Sequence, residues 1–214
     1  MVVHCASNRA KAKETRKLIE EKGGKAAVVT GDLTDPCTAE RLMAENGPLD
    51  ALVLDASMQI RRPWQKISLE EYQKQMTCNF YSSLRFVQLA VPHMKAQKWG
   101  RIVTIGSVQE RKPHPDMLVY SASKAAQTNM AQSLAQQLAA DGITVNNVAP
   151  GVIFTDRNVE ALSDPTYAAE VTASIPAGFY GEPRDCAGVV RLLLSDAARY
   201  ITGQSIYVDG GKRL

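Results

Sequence analysis

Three side chains in the second half of this 214-residue chain have the types and spacing needed for proton transfer at a carbonyl or alcohol oxygen. Tyr120 and Lys124 stand four residues apart in a predicted helix, so a phenol and an ammonium project from one helical face. A phenol has an unperturbed pKa of about 10, and lowering it by about three units takes roughly 4 kcal/mol, which a neighbouring cation favours. Ser107 follows an apolar segment, where its hydroxyl can hydrogen-bond a substrate oxygen. Taken singly, the Tyr–Lys pair also fits a solvated helix face, and Ser107 also fits an ordinary turn.

Apolar segments alternate with helix-forming segments along the chain that carries these residues. The predicted strands are 2–5, 26–30, 50–54, 101–105, 143–148 and 205–208. Helices are predicted at about 10–22, before 46–47, and at 69–95, 120–140 and 187–194, with residues 150–183 irregular. This alternation predicts parallel strands with right-handed crossovers, and so a three-layer α/β fold forming one domain over residues 1–214.

Local signals predict where several helices begin or bend. Asp35 or Thr34 can cap the second helix, with Pro36 in its first turn. Ser68 precedes Glu71 with capping-box spacing, which predicts a helix start at residue 69. Pro92 lies near the end of that long helix and is expected to kink it. An amide inside the same helix, at Asn79, is unusual unless it points to solvent or bonds a specific group.

The composition argues against several classes of function. Hydrophobic residues make up 45% and charged residues 22%, which is typical of a globular chain, and a net charge of +3 with scattered Lys and Arg argues against nucleic acid as a partner. No apolar run is long enough to span a bilayer, so we expect no membrane partner. Four separated cysteines without a CxxC pair predict reduced cytoplasmic thiols rather than a metal site or disulfides: Cys5, Cys37, Cys78 and Cys186. A cytoplasmic location follows as the expectation.

The combination of motifs is far more specific than any one of them. Ser107, Tyr120 within "YSASK" and the segment "NNVAPG" together resemble the short-chain dehydrogenase/reductase family. "GDLTD", "MTCNF" and "GEPRDCAGVVRLLLSDAARYITGQSIYVDGG" extend the similarity from Val2 to Gly211. The resemblance implies a doubly wound, Rossmann-like parallel sheet, and an enzyme that transfers a hydride between NAD(P) and a small carbonyl or alcohol substrate.

The resemblance also implies a role for each matching residue. Tyr120 would be the general acid/base, and Lys124 would lower its pKa and hold the nicotinamide ribose. Ser107 would bind the substrate oxygen, while Asn79 would anchor a water in a proton relay to Lys124. The residues around the cofactor would be Ser7, Asn8, Arg9, Asp32, Leu33, Asp55, Ala56, Pro150, Gly151, Ile153 and Thr155, together with Tyr120 and Lys124. No acidic residue ends the first predicted strand, which favours NADP over NAD.

The similarity of two loops to those of known members, and the oligomeric state common in the family, give expectations for the substrate and for assembly. The loops "ASMQIRRPW" and "IGSVQERKPHP" are most similar to those of sugar-acid and polyol dehydrogenases and of 3-oxoacyl reductases. Residues 156–183 occupy the position of the family's substrate lid. Trp64, Gln109 and His114 are expected either beside the substrate or, equally, in ordinary packing and surface positions. Like other members, the chain is expected to form a homodimer or homotetramer, with Ala122, Ala125, Ala126 and Ala135 of its long helix packing on another subunit.

Two departures from the family pattern concern the cofactor. No two glycines of the sequence stand two positions apart, so the family's TGxxxGxG phosphate loop has no counterpart in it. The missing unit includes a central strand, and an unpaired gap in the sheet would be costly. We expect one of three arrangements: this chain is a fragment of a longer functional chain, Val2–Cys5 shifts inward to fill the gap, or a partner chain fills it. Asp55 stands where the family usually has asparagine. These departures predict, as the alternative, a non-catalytic member with an assembly role that is unable to bind cofactor.

Overall fold

Six parallel strands form the centre of the protein. The computed structural model describes residues 1–214, apart from the side chain of Ala161. The strands are β1 (Val2–Cys5), β2 (Ala27–Thr30), β3 (Ala51–Leu54), β4 (Gly100–Ile105), β5 (Ile143–Pro150) and β6 (Ser205–Val208). β1 pairs with β2, while β3, β4, β5 and β6 pair in that order, and every ladder is parallel. The predicted α/β class with a parallel sheet is confirmed.

Helices cover the strands and make the crossovers between them. They are α1 (Arg9–Glu21), α2 (Thr38–Asn46), α3 (Leu69–Met76), α4 (Ser82–Gln97), α5 (Leu118–Leu138), α6 (Asp156–Leu162), α7 (Pro165–Ala173) and α8 (Pro183–Leu193). The predicted capping box starts α3, because Ser68 Oγ accepts from the Glu71 N–H at 3.1 Å and Glu71 Oε2 accepts from the Ser68 N–H at 3.1 Å. In the part of the chain that the structure describes, no helix is both long and apolar enough to cross a membrane.

The start of α2 differs from the sequence prediction. Asp35 Oδ1 accepts from the Cys37 N–H at 2.9 Å, so this carboxylate closes a turn ahead of the helix instead of capping it. The helix begins only at Thr38, whose hydroxyl donates to the Asp32 carbonyl oxygen at 2.7 Å. A proline at position 36 therefore belongs to the turn, and the predicted start was two residues too early.

Two longer segments also differ from their predictions. Residues 150–183, predicted to be irregular, contain α6 and α7. Asp164 caps α7 by accepting from the Thr166 N–H at 2.9 Å, and Pro165 occupies the first turn, a helix-start signal that the sequence reading missed. The predicted helix 69–95 is helical but includes a π-helical segment, Thr77–Tyr81, between α3 and α4. Pro92 lies inside α4, which continues to Gln97.

The sheet is divided between β1 and β3. Within the described residues, β1 pairs only with β2 and β3 pairs only with β4, so each has one free edge. Val53 of β3 is 45% exposed, although its neighbours Leu52 and Leu54 are buried. Met1, beside β1, and Val53, in β3, line one cleft, so the gap between the two strands opens into that cleft. The inward shift of Val2–Cys5, one of the expected arrangements, is therefore wrong.

The best-packed region lies around β4 and β5. These strands pair from Gly100 opposite Ile143 to Ile105 opposite Val148, and they pack against α4 and α5. Full burial of each valine or isoleucine side chain here contributes about 1.5–3 kcal/mol. Ala135, expected at a subunit interface, is only 3% exposed and belongs to this core instead. The loop after β4 and the helix α5 therefore start from a rigid base.

Candidate active site

Tyr120, Lys124 and Ser107 line one cleft at the carboxyl ends of the central strands. The cleft has a volume of about 1100 Å³. Ser107 follows β4, and the other two residues lie one turn apart in α5, with Lys124 Nζ 5.9 Å from the centre of the Tyr120 ring. Parallel α/β sheets place their ligands at this edge. The structure thus brings together the three residues that the sequence singled out first.

Lys124 is a buried ammonium whose two resolved acceptors are both neutral. Its side chain is 1% exposed, and Nζ donates to the Ile105 carbonyl oxygen at 2.7 Å and to Gln127 Oε1 at 3.1 Å. Burial lowers its pKa from 10.5 to about 8, although the charge of Asp55 acts in the opposite direction. Two acceptors leave one of its three N–H groups for a ligand in the cleft.

Tyr120 has a raised pKa, contrary to the expectation that Lys124 lowers it. Burial is the largest cause, and hydrogen bonding to Ser107 together with the charge of Arg157 opposes it without reversing it. The structure therefore holds Tyr120 as a phenol that can donate a proton, not as a phenolate.

Ser107 is oriented by the loop that it begins. Its Oγ accepts from the Gln109 N–H at 3.2 Å, and its hydroxyl also hydrogen-bonds Tyr120, which keeps the two groups together at the cleft. The preceding Gly106 is required by close packing, since a Cβ there would lie 2.6 Å from Asn147 Oδ1 and 2.6 Å from Glu110 Oε2. The loop is held tightly at the point where the serine leaves the sheet.

Glu110 fastens this loop to three other elements and was missed by the sequence reading. Its carboxylate accepts from Thr128 Oγ1 at 2.6 Å, from Tyr207 Oη at 2.7 Å and from Asn147 Nδ2 at 3.1 Å. These donors belong to α5, β6 and β5 respectively. The partners are distant in the sequence, so nothing in its local pattern pointed to the network.

Asn79 lies in the π-helical segment and is completely buried. Its Oδ1 accepts from the Met58 N–H at 2.7 Å, and its Nδ2 donates to the Met58 carbonyl oxygen and to Ser123 Oγ, both at 2.9 Å. These bonds tie the loop after β3 to α5 at Ser123, whose hydroxyl donates to the Tyr120 carbonyl oxygen. A π-helical turn often marks a functional position, because the extra residue redirects one side chain. The amide thus bonds specific groups, as its unusual position required.

Part of the predicted cofactor set lines the cleft. Its members there, besides Tyr120 and Lys124, are Asp55, Pro150, Gly151, Ile153 and Thr155. Gly151 is required by a close approach within the protein itself. A Cβ at this glycine would lie 2.7 Å from Asp209 Cα, so the close approach is to the residue after β6.

The remaining predicted cofactor residues are not among those that line the cleft in the described structure: Ser7, Asn8, Arg9, Asp32, Leu33 and Ala56. Asn8 caps α1, with its Oδ1 accepting from the Lys11 N–H at 3.1 Å. Asp32 Oδ1 accepts from the Thr34 N–H at 2.9 Å, which lowers the pKa of Asp32, and Leu33 is buried. Ala56 follows β3, whereas the other five follow β1 and β2, across the gap in the sheet from Tyr120, Lys124 and Ser107.

Residues 156–183 bring a cation to the cleft that the sequence reading did not name. Arg157 in α6 donates from Nη2 to the Ser57 carbonyl oxygen at 3.0 Å and to Ser57 Oγ at 3.2 Å. Gln109 and His114 also line the cleft, whereas Trp64 is 66% exposed and is not among its lining residues in the described structure. Of the three residues for which either position was expected, two therefore face the candidate site.

Comparison with known proteins gives a consistent picture. The family model described as Enoyl-(Acyl carrier protein) reductase matches residues 1–213. The chain is 35% identical over 219 residues to 3beta-hydroxysteroid dehydrogenase 1 of Eggerthella lenta, covering 100% of this chain and 84% of that protein. It is 36% identical over 203 residues to glucose 1-dehydrogenase of Gluconobacter oxydans, covering 92% and 76%. A crystal structure of 3-oxoacyl (acyl-carrier-protein) reductase from Agrobacterium tumefaciens C58 with NADP bound superposes with a TM-score of 0.92 at 33% identity, covering 98% and 83%.

Proposed function

Because this chain belongs to the short-chain dehydrogenase/reductase family, whose members are NAD(P)-dependent oxidoreductases, we propose that it reduces a small carbonyl compound with Tyr120 as general acid. The observation that carries the proposal is the convergence of Tyr120, Lys124 and Ser107 on one cleft. Both sugar-type and 3-oxoacyl substrates remain within this proposal. The reverse reaction, oxidation of an alcohol, uses the same groups with Tyr120 accepting the proton.

The proton chemistry follows from the state of each group. Tyr120 has a raised pKa and is protonated at neutral pH, so its hydroxyl can donate to the carbonyl oxygen as negative charge develops there. Ser107 donates a second hydrogen bond to the same oxygen, because its Oγ already accepts from the backbone. Lys124, with a pKa of about 8, can return a proton towards Tyr120 from within the protein. Asn79 is proposed to anchor a water in that relay.

The residues fit the nicotinamide end of the cofactor. Lys124 keeps one free N–H in the cleft, which suits a ribose hydroxyl, and Pro150, Ile153 and Thr155 form the adjoining wall. The cofactor would supply the hydride to the carbonyl carbon when bound there. The residues of this chain do not provide the glycine loop that holds the cofactor phosphates in the family, since no two glycines are two positions apart. Arg9, exposed at the start of α1, supports NADP as the preferred form.

Assembly and location are part of the same proposal. We take residues 1–214 as one Rossmann-like domain that works in the cytoplasm as a homodimer or homotetramer. The small residues Ala122 and Ala125 are exposed on α5, which allows the helix of a second copy to approach closely. No nucleic acid or membrane partner is proposed.

Exchange of Tyr120 for phenylalanine tests the catalytic assignment. We expect Tyr120→Phe to lower the turnover of NADPH-dependent carbonyl reduction by at least about 100-fold, which is the range of general acid catalysis, with nearly unchanged affinity for NADPH. The matched control is Tyr200→Phe, because Tyr200 is 99% exposed. Activity of the Tyr120 variant close to wild type would refute the proton donor.

A non-catalytic assembly role is the second candidate, and the gap between β1 and β3 favours it. Titration of the purified chain with NADPH, followed by cofactor fluorescence, separates the two. Saturable binding supports the oxidoreductase. Absence of binding at millimolar NADPH supports the assembly role.

A further inference from the structure

The cleft is strongly cationic beyond what proton transfer requires. Besides Lys124, five cationic side chains line it, whereas Asp55 is its one carboxylate residue among the described residues. The five are Arg61, Lys112, Arg157, Arg191 and Lys212. An excess of one sign in a concave site attracts a ligand of the opposite sign.

Two of these cations, Lys112 and Lys212, are linked by a hydrogen bond between the Ser107 loop and the segment after β6. Lys112 Nζ donates to the Lys212 carbonyl oxygen at 2.9 Å, and Lys212 Nζ donates to Ser174 Oγ at 2.5 Å. Both acceptors are neutral, so neither bond compensates a charge. Burial and the neighbouring charge of Lys112 lower the pKa of Lys212, which shows that the two ammonium groups repel one another.

The two lysines lie in the same cleft as the residues proposed to contact the substrate carbonyl. Lys112 lies five residues after Ser107 in the same loop, and Ser174 follows the last residue of α7. Lys212 follows β6 and bridges the two. Both lysines line the same cleft as Tyr120 and Ser107, so a substrate bound there shares its space with them.

We propose that Lys112 and Lys212 form a subsite for an anionic group on the substrate, so that the protein acts on carbonyl or alcohol compounds bearing a carboxylate or a phosphate. The inference rests on the proposed oxidoreductase function and narrows its substrate class. Steroids and neutral sugars would lack the group that this subsite neutralises. An anion between the lysines removes their repulsion, and the two charges act on it together.

Direct binding of three six-carbon compounds tests the subsite without requiring turnover. Isothermal titration compares D-gluconate, which has a carboxylate, D-glucitol 6-phosphate, which has a phosphate, and D-glucitol, which is neutral. We expect at least one anion to bind about tenfold more tightly than D-glucitol. The anion that binds better identifies which of the two groups the subsite prefers. Equal binding of all three, or no binding of either anion, overturns the proposal.

Variants then assign the preference to the two lysines. The double variant Lys112→Met with Lys212→Met is expected to lose the tenfold preference while D-glucitol binding stays the same. Arg191→Met removes a charge from the same cleft on α8 and should keep the preference. If Arg191→Met abolishes the preference as fully as Lys212→Met does alone, the effect is general charge and the subsite is refuted.

Binding and catalysis can fail separately. Tyr120→Phe is expected to bind the anion as wild type does, because the lysine pair is not part of the proton donor. Anion preference without any carbonyl reduction would keep the subsite and reject the proposed function. Carbonyl reduction by a protein that binds D-gluconate and D-glucitol equally well would reject the subsite and keep the proposed function.

Discussion

Replacing Lys124 by methionine is expected to stabilise the protein at neutral pH, although it removes a residue of the proposed catalytic group. Burial lowers the pKa of this lysine from 10.5 to about 8. A lowering of this size corresponds to about 3 kcal/mol of destabilisation when the lysine is charged in both the folded and the unfolded state. Loss of the hydrogen bonds to Ile105 and Gln127 offsets about 1 kcal/mol each. A net gain of about 1 kcal/mol at pH 7 remains for Lys124→Met.

The pH dependence gives a sharper test than the absolute value. The folded protein binds this proton less tightly, so between pH 8 and 10.5 the unfolded chain carries more protons. The free energy of unfolding of the wild type therefore rises with pH through this window, and that contribution is absent from Lys124→Met. The stability advantage of the variant should fall by about 2 kcal/mol between pH 7 and pH 9.5.

Urea unfolding at both pH values measures this difference. With a typical dependence on denaturant, about 2 kcal/mol corresponds to a change of about 1 M in the separation of the two midpoints. Lys13→Met serves as the control, because Lys13 is exposed on α1 and its replacement should leave the separation constant. If the difference between the urea midpoints of Lys124→Met and wild type does not change with pH, the conclusion that Lys124 is a buried ammonium without a counter-charge is refuted.

Two further changes probe the groups around it. Asp55→Asn removes the negative charge that raises the pKa of Lys124, so the lysine should titrate below about 8, as followed by NMR of ¹³Cε-labelled lysine; an unchanged or higher value would contradict the electrostatic coupling. Glu110→Gln places an amide against the donors of Thr128, Tyr207 and Asn147, and should lower the free energy of unfolding by about 1–3 kcal/mol in urea. Glu170→Gln on α7 is the exposed control, and equal effects of the two variants would count against the network.

Local patterns in the sequence were enough to predict the strands and to single out Tyr120, Lys124 and Ser107, which the structure brings to one cleft. Apolar runs gave all six strands, since burial in a parallel sheet leaves a strong signal. The spacing of Tyr120 and Lys124 fixed them on one face of a helix that the structure confirms. The capping box at Ser68 was confirmed for the same reason, because its two hydrogen bonds are local.

Features that depend on distant contacts could not be predicted in this way. Glu110 binds partners from 18 to 97 positions away, and no local pattern announces such a carboxylate. The raised pKa of Tyr120 depends on how deeply the phenol is buried, which spacing does not report. Among these contacts, the one between Gln127 and Lys124 was the easiest to predict, since Gln127 lies one helical turn beyond Lys124 on the same buried face.

The divided sheet makes the two halves of the protein unequal in how firmly they are tethered. The half containing β1 and β2 contacts the rest through α2 on α4, where Glu40 and Arg85 form an ion pair at 2.6 Å, and through the ion pair of Lys11 with Asp156, but not through a strand ladder. That half can open without breaking a hydrogen bond of β3–β6, so its amides should exchange with solvent well before those of β4 and β5. Tyr120, Lys124 and Ser107 all belong to the slowly exchanging half. Opening of the β1–β2 half should therefore leave β4 and α5, which carry these three residues, paired and packed as they are.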